Sequence, residues 1–287
     1  MADLLLGKPV ADALVEKIRT GADLLASRGP RPRLAVLRVG DRPDDISYER
    51  GLFKRAEACG VEVASFTFAQ DATENDMAQV IERINADNAF HGCLMFRPLP
   101  KTMDEEFLSN LLVPTKDVDG MTRNSLAMLM EGRGAGFAPC TAAAVLEICD
   151  FYNVPLEGAK VCVVGRSLVI GKPVAQLLLA RNATVTQCHS RTVDVPGAMR
   201  AADVVVVATG RAKAYGADCF REGQVVIDVG INVDAEGKLC GDVDFDAVEP
   251  IVSAITPVPR GVGSVTTSVL MKHVVERAAT LEKLAQD

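Results

Sequence analysis

The segment Val161-Cys162-Val163-Val164-Gly165-Arg166-Ser167-Leu168-Val169-Ile170-Gly171-Lys172-Pro173 decides the fold of this 287-residue chain. Its opening apolar run is the pattern of a strand buried on both faces. Gly165 breaks the run, Arg166 and Ser167 add a cation and a hydroxyl, and a helix is expected after Gly171. A helix N-terminus presents unpaired N–H groups and the positive end of a dipole, so a phosphate is its natural occupant. The spacing is G-x5-G rather than the common G-x-G-x-x-G. Strand-to-helix turns also serve structure alone, and the turn by itself leaves both readings open.

Outward from this segment, Lys160–Val164 is followed by further short apolar runs at Thr184–Cys188, Val204–Ala208, Val225–Val229 and Ala254–Ile255, with helical stretches between them. That alternation predicts an α/β fold with a doubly wound, Rossmann-like parallel sheet, whose ligands sit at the carboxyl ends of the strands. The candidate cofactor residues are therefore Gly165, Arg166, Ser167 and Gly171 after the first strand, and His189, Ser190 and Arg191 after the second. Thr209 and Gly210 follow the third, Gly230 and Ile231 the fourth. Two arginines and two serines at the first two strand ends suit an extra phosphate on the adenosine ribose, because a guanidinium holds phosphate bidentately. An NAD-preferring domain usually carries a carboxylate after its second strand, and none stands there. NADP is expected, with NAD as the alternative.

The first half alternates in the same way. Helical periodicity covers 10–28, strands are expected at Leu34–Val39, Val61–Phe68 and Cys93–Phe96, and helices at Ser47–Cys59 and Thr73–Asn88. The Gly-rich stretch Gly132–Pro139 reads as a linker, Thr141–Tyr152 as a helix capped by Thr141, and Ser268–Ala285 as the last helix. Two domains follow: 1–140, completed by 268–287, and 141–267.

Composition narrows the partners. A net charge of −7 argues against nucleic acid. The eight cysteines and three histidines form no zinc-ligand spacing, so no metal is expected. Cysteines inside apolar runs suit a reducing cytoplasm, and no run approaches a membrane span or a signal peptide.

Six ordered motifs carry a family resemblance: Val163-Val164-Gly165-Arg166-Ser167 with Gly171-Lys172-Pro173, Cys188-His189-Ser190, Ala208-Thr209-Gly210, Asp228-Val229-Gly230-Ile231-Asn232, Gly241-Asp242-Val243 and Ile255-Thr256-Pro257-Val258-Pro259. The first half agrees through Pro98-Leu99-Pro100, Lys116-Asp117-Val118-Asp119-Gly120 and Pro139-Cys140-Thr141. Over nearly its whole length the chain resembles methylenetetrahydrofolate dehydrogenase/cyclohydrolase. The resemblance implies a folate domain and an NAD(P) domain joined by two long helices, a homodimer, and a tetrahydrofolate one-carbon derivative as substrate in the cleft. It implies that Asp119 hydrogen-bonds the pterin, that Tyr48 stacks on a ring of the substrate, and that Pro98, Leu99, Arg260 and Gly261 line the substrate site. By themselves, Asp119 reads first as a turn residue before Gly120 and Tyr48 as a half-buried helix tyrosine, and the resemblance reverses that preference.

The chain departs from the family pattern at two catalytic positions. The family's Y-V-x-x-K motif reads Tyr48-Glu49-Arg50-Gly51-Leu52, so Leu52 stands at the lysine. The family's Gln-Leu-Pro-Leu-Pro reads Phe96-Arg97-Pro98-Leu99-Pro100, so Phe96 stands at the glutamine. Arg50 and Lys54 lie two residues from Leu52, about 200° around a helix, and so point elsewhere. Hydride transfer needs two well-positioned molecules and no protein nucleophile. Hydrolysis of the methenyl product needs an ionisable group of tuned pKa, which Leu52 is not. The expectation is a dehydrogenase whose cyclohydrolase is lost or weak. The alternatives are a bifunctional enzyme using Arg50, Lys54 or Arg260 instead, and a silent paralogue that binds nucleotide or folate.

Overall fold

In the computed structural model, which describes residues 1–134 and 136–286, the chain forms two compact units. One comprises Met1–Asp12 with Thr141–Thr266, the other Ala13–Cys140 with Thr267–Asp287.

The first unit is built on a six-stranded sheet. Its strands are β1 (Asp3–Leu4), β5 (Lys160–Val164), β6 (Thr184–Cys188), β7 (Val204–Val207), β8 (Val225–Asp228) and β11 (Ala254–Ile255), in the order β1-β11-β8-β7-β5-β6 and parallel throughout. The middle strands β5, β7 and β8 are nearly all Val and Ile and are buried, as a sheet covered on both faces requires. Edge strand β6 is more polar and more exposed. Helices α6 (Cys140–Phe151), α7 (Gly171–Leu179), α8 (Val195–Arg200) and α9 (Phe245–Val248) belong to this unit, together with an antiparallel hairpin of β9 (Asn232–Val233) and β10 (Leu239–Cys240). The core gathers Cys162, Val164, Val205, Val207, Val226 and Ile255.

The second unit holds a three-stranded parallel sheet, β3 (Glu62–Phe68), β2 (Arg33–Val39) and β4 (Gly92–Met95), in the order β3-β2-β4. Helices α2 (Pro43–Cys59) and α3 (Glu74–Ala86) form its crossovers, and it also holds α4 (Glu105–Leu111), α5 (Arg123–Glu131) and most of α1 (Gly7–Ala26) and α10 (Thr266–Gln286). Gly60 ends α2 in the left-handed region, and a reciprocal Thr73–Asp76 capping box starts α3. Ala35, Leu37, Met77, Ile81 and Leu108 lie at its core.

Three features differ from the sequence reading. Residues 1–12 cluster with 141–266, not with 13–140, because β1 pairs with β11. Helix α6 begins at Cys140, so Thr141 lies inside its first turn and is not the cap. Helices α4 and α5 were not expected. They are too short for a clear apolar period, yet caps announce them: Asp104 accepts from the Phe107 N–H, Thr122 accepts from Ser125, and Gly132 ends α5. The stretch read as a linker at 132–139 includes residue 135, which lies outside the described residues.

All eight cysteines are free and buried. No helix among the described residues is long and apolar enough to cross a membrane.

Candidate active site

In the six-stranded sheet, β6 lies on one side of β5 and β7 on the other. This reversal opens a crevice outside their carboxyl ends. Gly165 stands there with φ 133°, and a Cβ on it would lie 2.2 Å from the Ala208 carbonyl oxygen. Only glycine lets the two strand ends approach so closely. A Cβ on Gly171 would lie 2.4 Å from the Gly165 oxygen, so this second glycine packs the start of α7 onto the turn. The Ser167 hydroxyl accepts from the N–H groups of Ile170 and Gly171 and fixes the turn's shape.

A cavity of about 410 Å3 opens at this point. Of the expected residues, Gly165, Arg166, Ser167, His189, Ser190 and Thr209 line it. Gly171, Arg191 and Gly210 do not. Arg191, expected to share a phosphate, is exposed, and its N–H is turned back onto His189 Nδ1. The second lining arginine is Arg211, which the sequence reading passed over although it directly follows Thr209-Gly210. Thr192 and Tyr215 also line the cavity and were also missed. The room beside Gly165, together with two guanidiniums, fits the phosphates of a dinucleotide.

Two carboxylates hold the neighbouring loops. Asp242 accepts from the N–H groups of Thr209, Gly210 and Arg211, the Thr209 hydroxyl and the Asn232 amide. Asp228 accepts from the N–H groups of Gly230, Asp242 and Val243; burial pushes its carboxyl up to about 7 against these bonds. Gly230 and Ile231 line a separate cavity of about 210 Å3 in the same unit, with Arg260 and Gly261. Asp242→Asn turns an amide N–H2 toward donors that need an acceptor. It is expected to lower the unfolding free energy by about 2 kcal/mol, read by urea denaturation.

In the three-stranded unit, the same geometry gathers a second set of side chains at the ends of β2 and β4. The buried Arg38–Glu49 pair, 3.1 Å apart, ties β2 to α2, and the Ser65 hydroxyl donates to Glu49 at 2.6 Å. This seats α2 with Leu52 fully enclosed and Arg50 and Lys54 exposed. Tyr48, one turn before Leu52, leans edge-on against Phe96, with ring centroids 5.4 Å apart. The Tyr48 ring is half exposed, and desolvation of its hydroxyl followed by the Asp119 charge pushes its pKa up to about 12.

Three residues of Lys116-Asp117-Val118-Asp119 divide the labour. The buried Lys116 ammonium donates to the carbonyls of Ile84, Asn85 and Asp87, closing the end of α3. Asp117 accepts from the N–H groups of Met121 and Thr122. Both are structural. Asp119 faces Arg97, whose Nη2 lies 3.5 Å from Oδ2. Desolvation pushes the Asp119 carboxyl up to about 6, with Arg97 the main influence pulling it back down. Cys140 donates its thiol proton to the Val118 carbonyl at 3.2 Å and is itself held well above the ordinary thiol range by burial, so it is no nucleophile. His273 makes a 2.8 Å hydrogen bond to the same carbonyl, and burial lowers its pKa to about 4, so it is neutral. Pro98 is exposed and Leu99 packs on the core, its N–H donating to Glu105.

Tyr48, Phe96 and Asp119 are thus brought together around an arginine absent from the sequence-derived set. A charge at the end of a buried strand, just before Pro98-Leu99-Pro100, was the signal that marked it.

Comparison with known proteins follows the same division. Residues 5–119 match the catalytic domain of tetrahydrofolate dehydrogenase/cyclohydrolase, and residues 139–282 match the NAD(P)-binding domain of the same family. The chain is 51% identical over 273 residues, 95% of each chain, to the bifunctional protein FolD of Clostridioides difficile. It superposes with TM-score 0.93 and 35% identity on the bifunctional FolD methylenetetrahydrofolate dehydrogenase/cyclohydrolase of Campylobacter jejuni, over 98% of this chain and 99% of that one. The Trypanosoma brucei methylenetetrahydrofolate dehydrogenase-cyclohydrolase, solved with NADP cofactor and an inhibitor, gives 0.89 and 34% over 97% and 98%.

Proposed function

Because the chain belongs to the tetrahydrofolate dehydrogenase/cyclohydrolase family, we propose that it oxidises 5,10-methylenetetrahydrofolate to the methenyl form with NADP. The observation that carries this reading is the glycine-lined crevice at Gly165 and Ala208, flanked by Arg166 and Arg211. We assign cofactor binding to the unit built on 141–266 with 1–12, and folate binding to the unit built on 13–140 with the last helix. Gly165, Ser167, His189, Ser190 and Thr209 would hold the dinucleotide, with Arg166 and Arg211 on its ribose phosphate. When bound, NADP accepts the hydride at nicotinamide C4. Tyr48 and Asp119 would orient the folate, with Pro98 and Leu99 as further substrate-side candidates.

The relatives' shared description as bifunctional favours retention of the hydrolase over the loss expected from Leu52 and Phe96. A bifunctional chain of this sequence moves protons without an amine at residue 52. Asp119 and Tyr48 are the titratable groups gathered near Phe96, with the permanently charged Arg97 beside Asp119. We further assign a homodimer pairing through the cofactor domain, supported by the exposed apolar Ile231, Val233 and Leu239 on and beside the β9–β10 hairpin, and a cytoplasmic location.

One assay tests both activities: purified protein with methylenetetrahydrofolate and NADP, following reduced cofactor and methenyl product together. Reduced cofactor with methenyl product consumed faster than its spontaneous hydrolysis is expected. Methenyl accumulating at the spontaneous rate restores the single-activity reading, and absence of reduced cofactor removes the dehydrogenase. Arg166→Ala is expected to raise KM for NADP roughly tenfold or more while leaving KM for NAD within about twofold, since one charge-assisted phosphate contact is lost.

A further inference from the structure

Among the described residues, Asp119 is the carboxylate beside the Tyr48–Phe96 edge whose oxygens are not consumed by the backbone. Asp117 beside it spends both oxygens on Met121 and Thr122. A carboxylate offers about four acceptor directions, so Asp119 retains room for ring N–H donors alongside Arg97. Yet its surroundings are poor for an anion. Phe96 and Val118 are buried and apolar, the Asp117 charge opposes it, Cys140 is a buried neutral thiol, the Tyr48 hydroxyl is neutral, and His273 is neutral. Among these groups from α2, α6, α10 and the loop after β4, the cation is Arg97.

Arg97 is itself held in place. Nη1 lies 3.9 Å from Glu105 Oε1 while Nη2 lies 3.5 Å from Asp119 Oδ2, so the guanidinium spans two carboxylates. Glu105 is fixed in turn by the Leu99 N–H at 3.0 Å. The side chain is only 30% exposed, which limits solvent screening of the pair.

We propose that Arg97 is a positioning residue of the folate site: it holds the Asp119 carboxylate as an anion, so that the carboxylate accepts the ring and amino N–H groups of the substrate heterocycle. The inference rests on the folate reading above. A protonated Asp119 would present a donor where acceptors are needed. The arginine therefore sets the lower pH limit of substrate binding and takes no part in hydride transfer.

The test compares wild type with Arg97→Leu and Arg97→Lys. KM for methylenetetrahydrofolate and kcat are measured from pH 5.5 to 8.5, and the Asp119 carboxyl is titrated by carbon-13 NMR, assigned with Asp119→Asn. Removing an opposite charge at this range should move the Asp119 midpoint, and the pH at which KM begins to rise, upward by about one unit. At saturation kcat should stay within about twofold, because the lost interaction serves ground and transition states alike. Arg97→Lys should restore most of the shift. Arg97→Gln carries the same expectation should the leucine variant fail to fold, judged by circular dichroism and thermal melting. Coincident profiles of a folded charge-removed variant and wild type overturn the proposal, as does a loss confined to kcat. Failure of wild type to oxidise methylenetetrahydrofolate would sink the folate reading instead, and the carbon-13 titration still decides whether Arg97 controls Asp119.

Discussion

Asp119→Ala is expected to lower kcat/KM for methylenetetrahydrofolate about a hundredfold, with KM for NADP unchanged. The physical basis is the loss of two hydrogen bonds to a charged acceptor, worth about 1.5 kcal/mol or more each. The same carboxylate predicts a pH dependence in wild type. Desolvation places its titration near 6, above the ordinary carboxylate range, so the neutral form accumulates as pH falls through that value. KM should therefore rise below about pH 6, and this rise should be absent from Asp119→Asn, which has no charge to lose. Steady-state kinetics across pH check both statements. A wild-type kcat/KM in Asp119→Ala would remove the residue from the substrate site.

Gly165→Ala is the second large effect. Two penalties coincide there: a φ of 133° that side chains rarely adopt, and a Cβ 2.2 Å from a backbone carbonyl of the neighbouring strand end. A flexible side chain would move aside, but the Ala208 carbonyl is anchored by its place beyond β7. The loss of stability should reach about 4 kcal/mol, and NADP binding should fail in whatever fraction folds. Gly237→Ala separates the two causes. Gly237 has φ 78°, but a Cβ added there would meet no heavy atom within 4 Å, so backbone strain alone should cost about 1 kcal/mol. Equal losses at both sites, measured by denaturant unfolding, would show that close approach at Gly165 contributes nothing.

The legible part of this protein is its strand ends. Runs such as Val161–Val164 and Val204–Val207 are apolar on both faces, a pattern that a parallel sheet imposes and a chain shows without alignment. Given the sheet, residues just past β5, β6 and β7 meet in one crevice, and six of those named from the sequence line one cavity. The family follows from motif order, and with it the bifunctional chemistry of the relatives. Leu52 and Phe96 were also visible, but only as departures from a pattern; their presence did not by itself decide the fate of the second reaction.

Local sequence determined the strands, the turns and the class of cofactor, because these depend on periodicity and on what glycine alone permits. Tertiary structure decided which charges act together. Arg97 meets Asp119 across 22 positions of chain, and Glu105 steadies it from α4. Arg211, not Arg191, lines the cavity at Gly165, while the Arg191 N–H is turned back onto His189. Residues 1–12 join the second half through β1 and β11, about 250 residues apart. Such pairings depend on side-chain reach and on burial set by distant elements. No periodicity records them, since the energy of an ion pair comes from the dielectric and the neighbours that folding assembles around it.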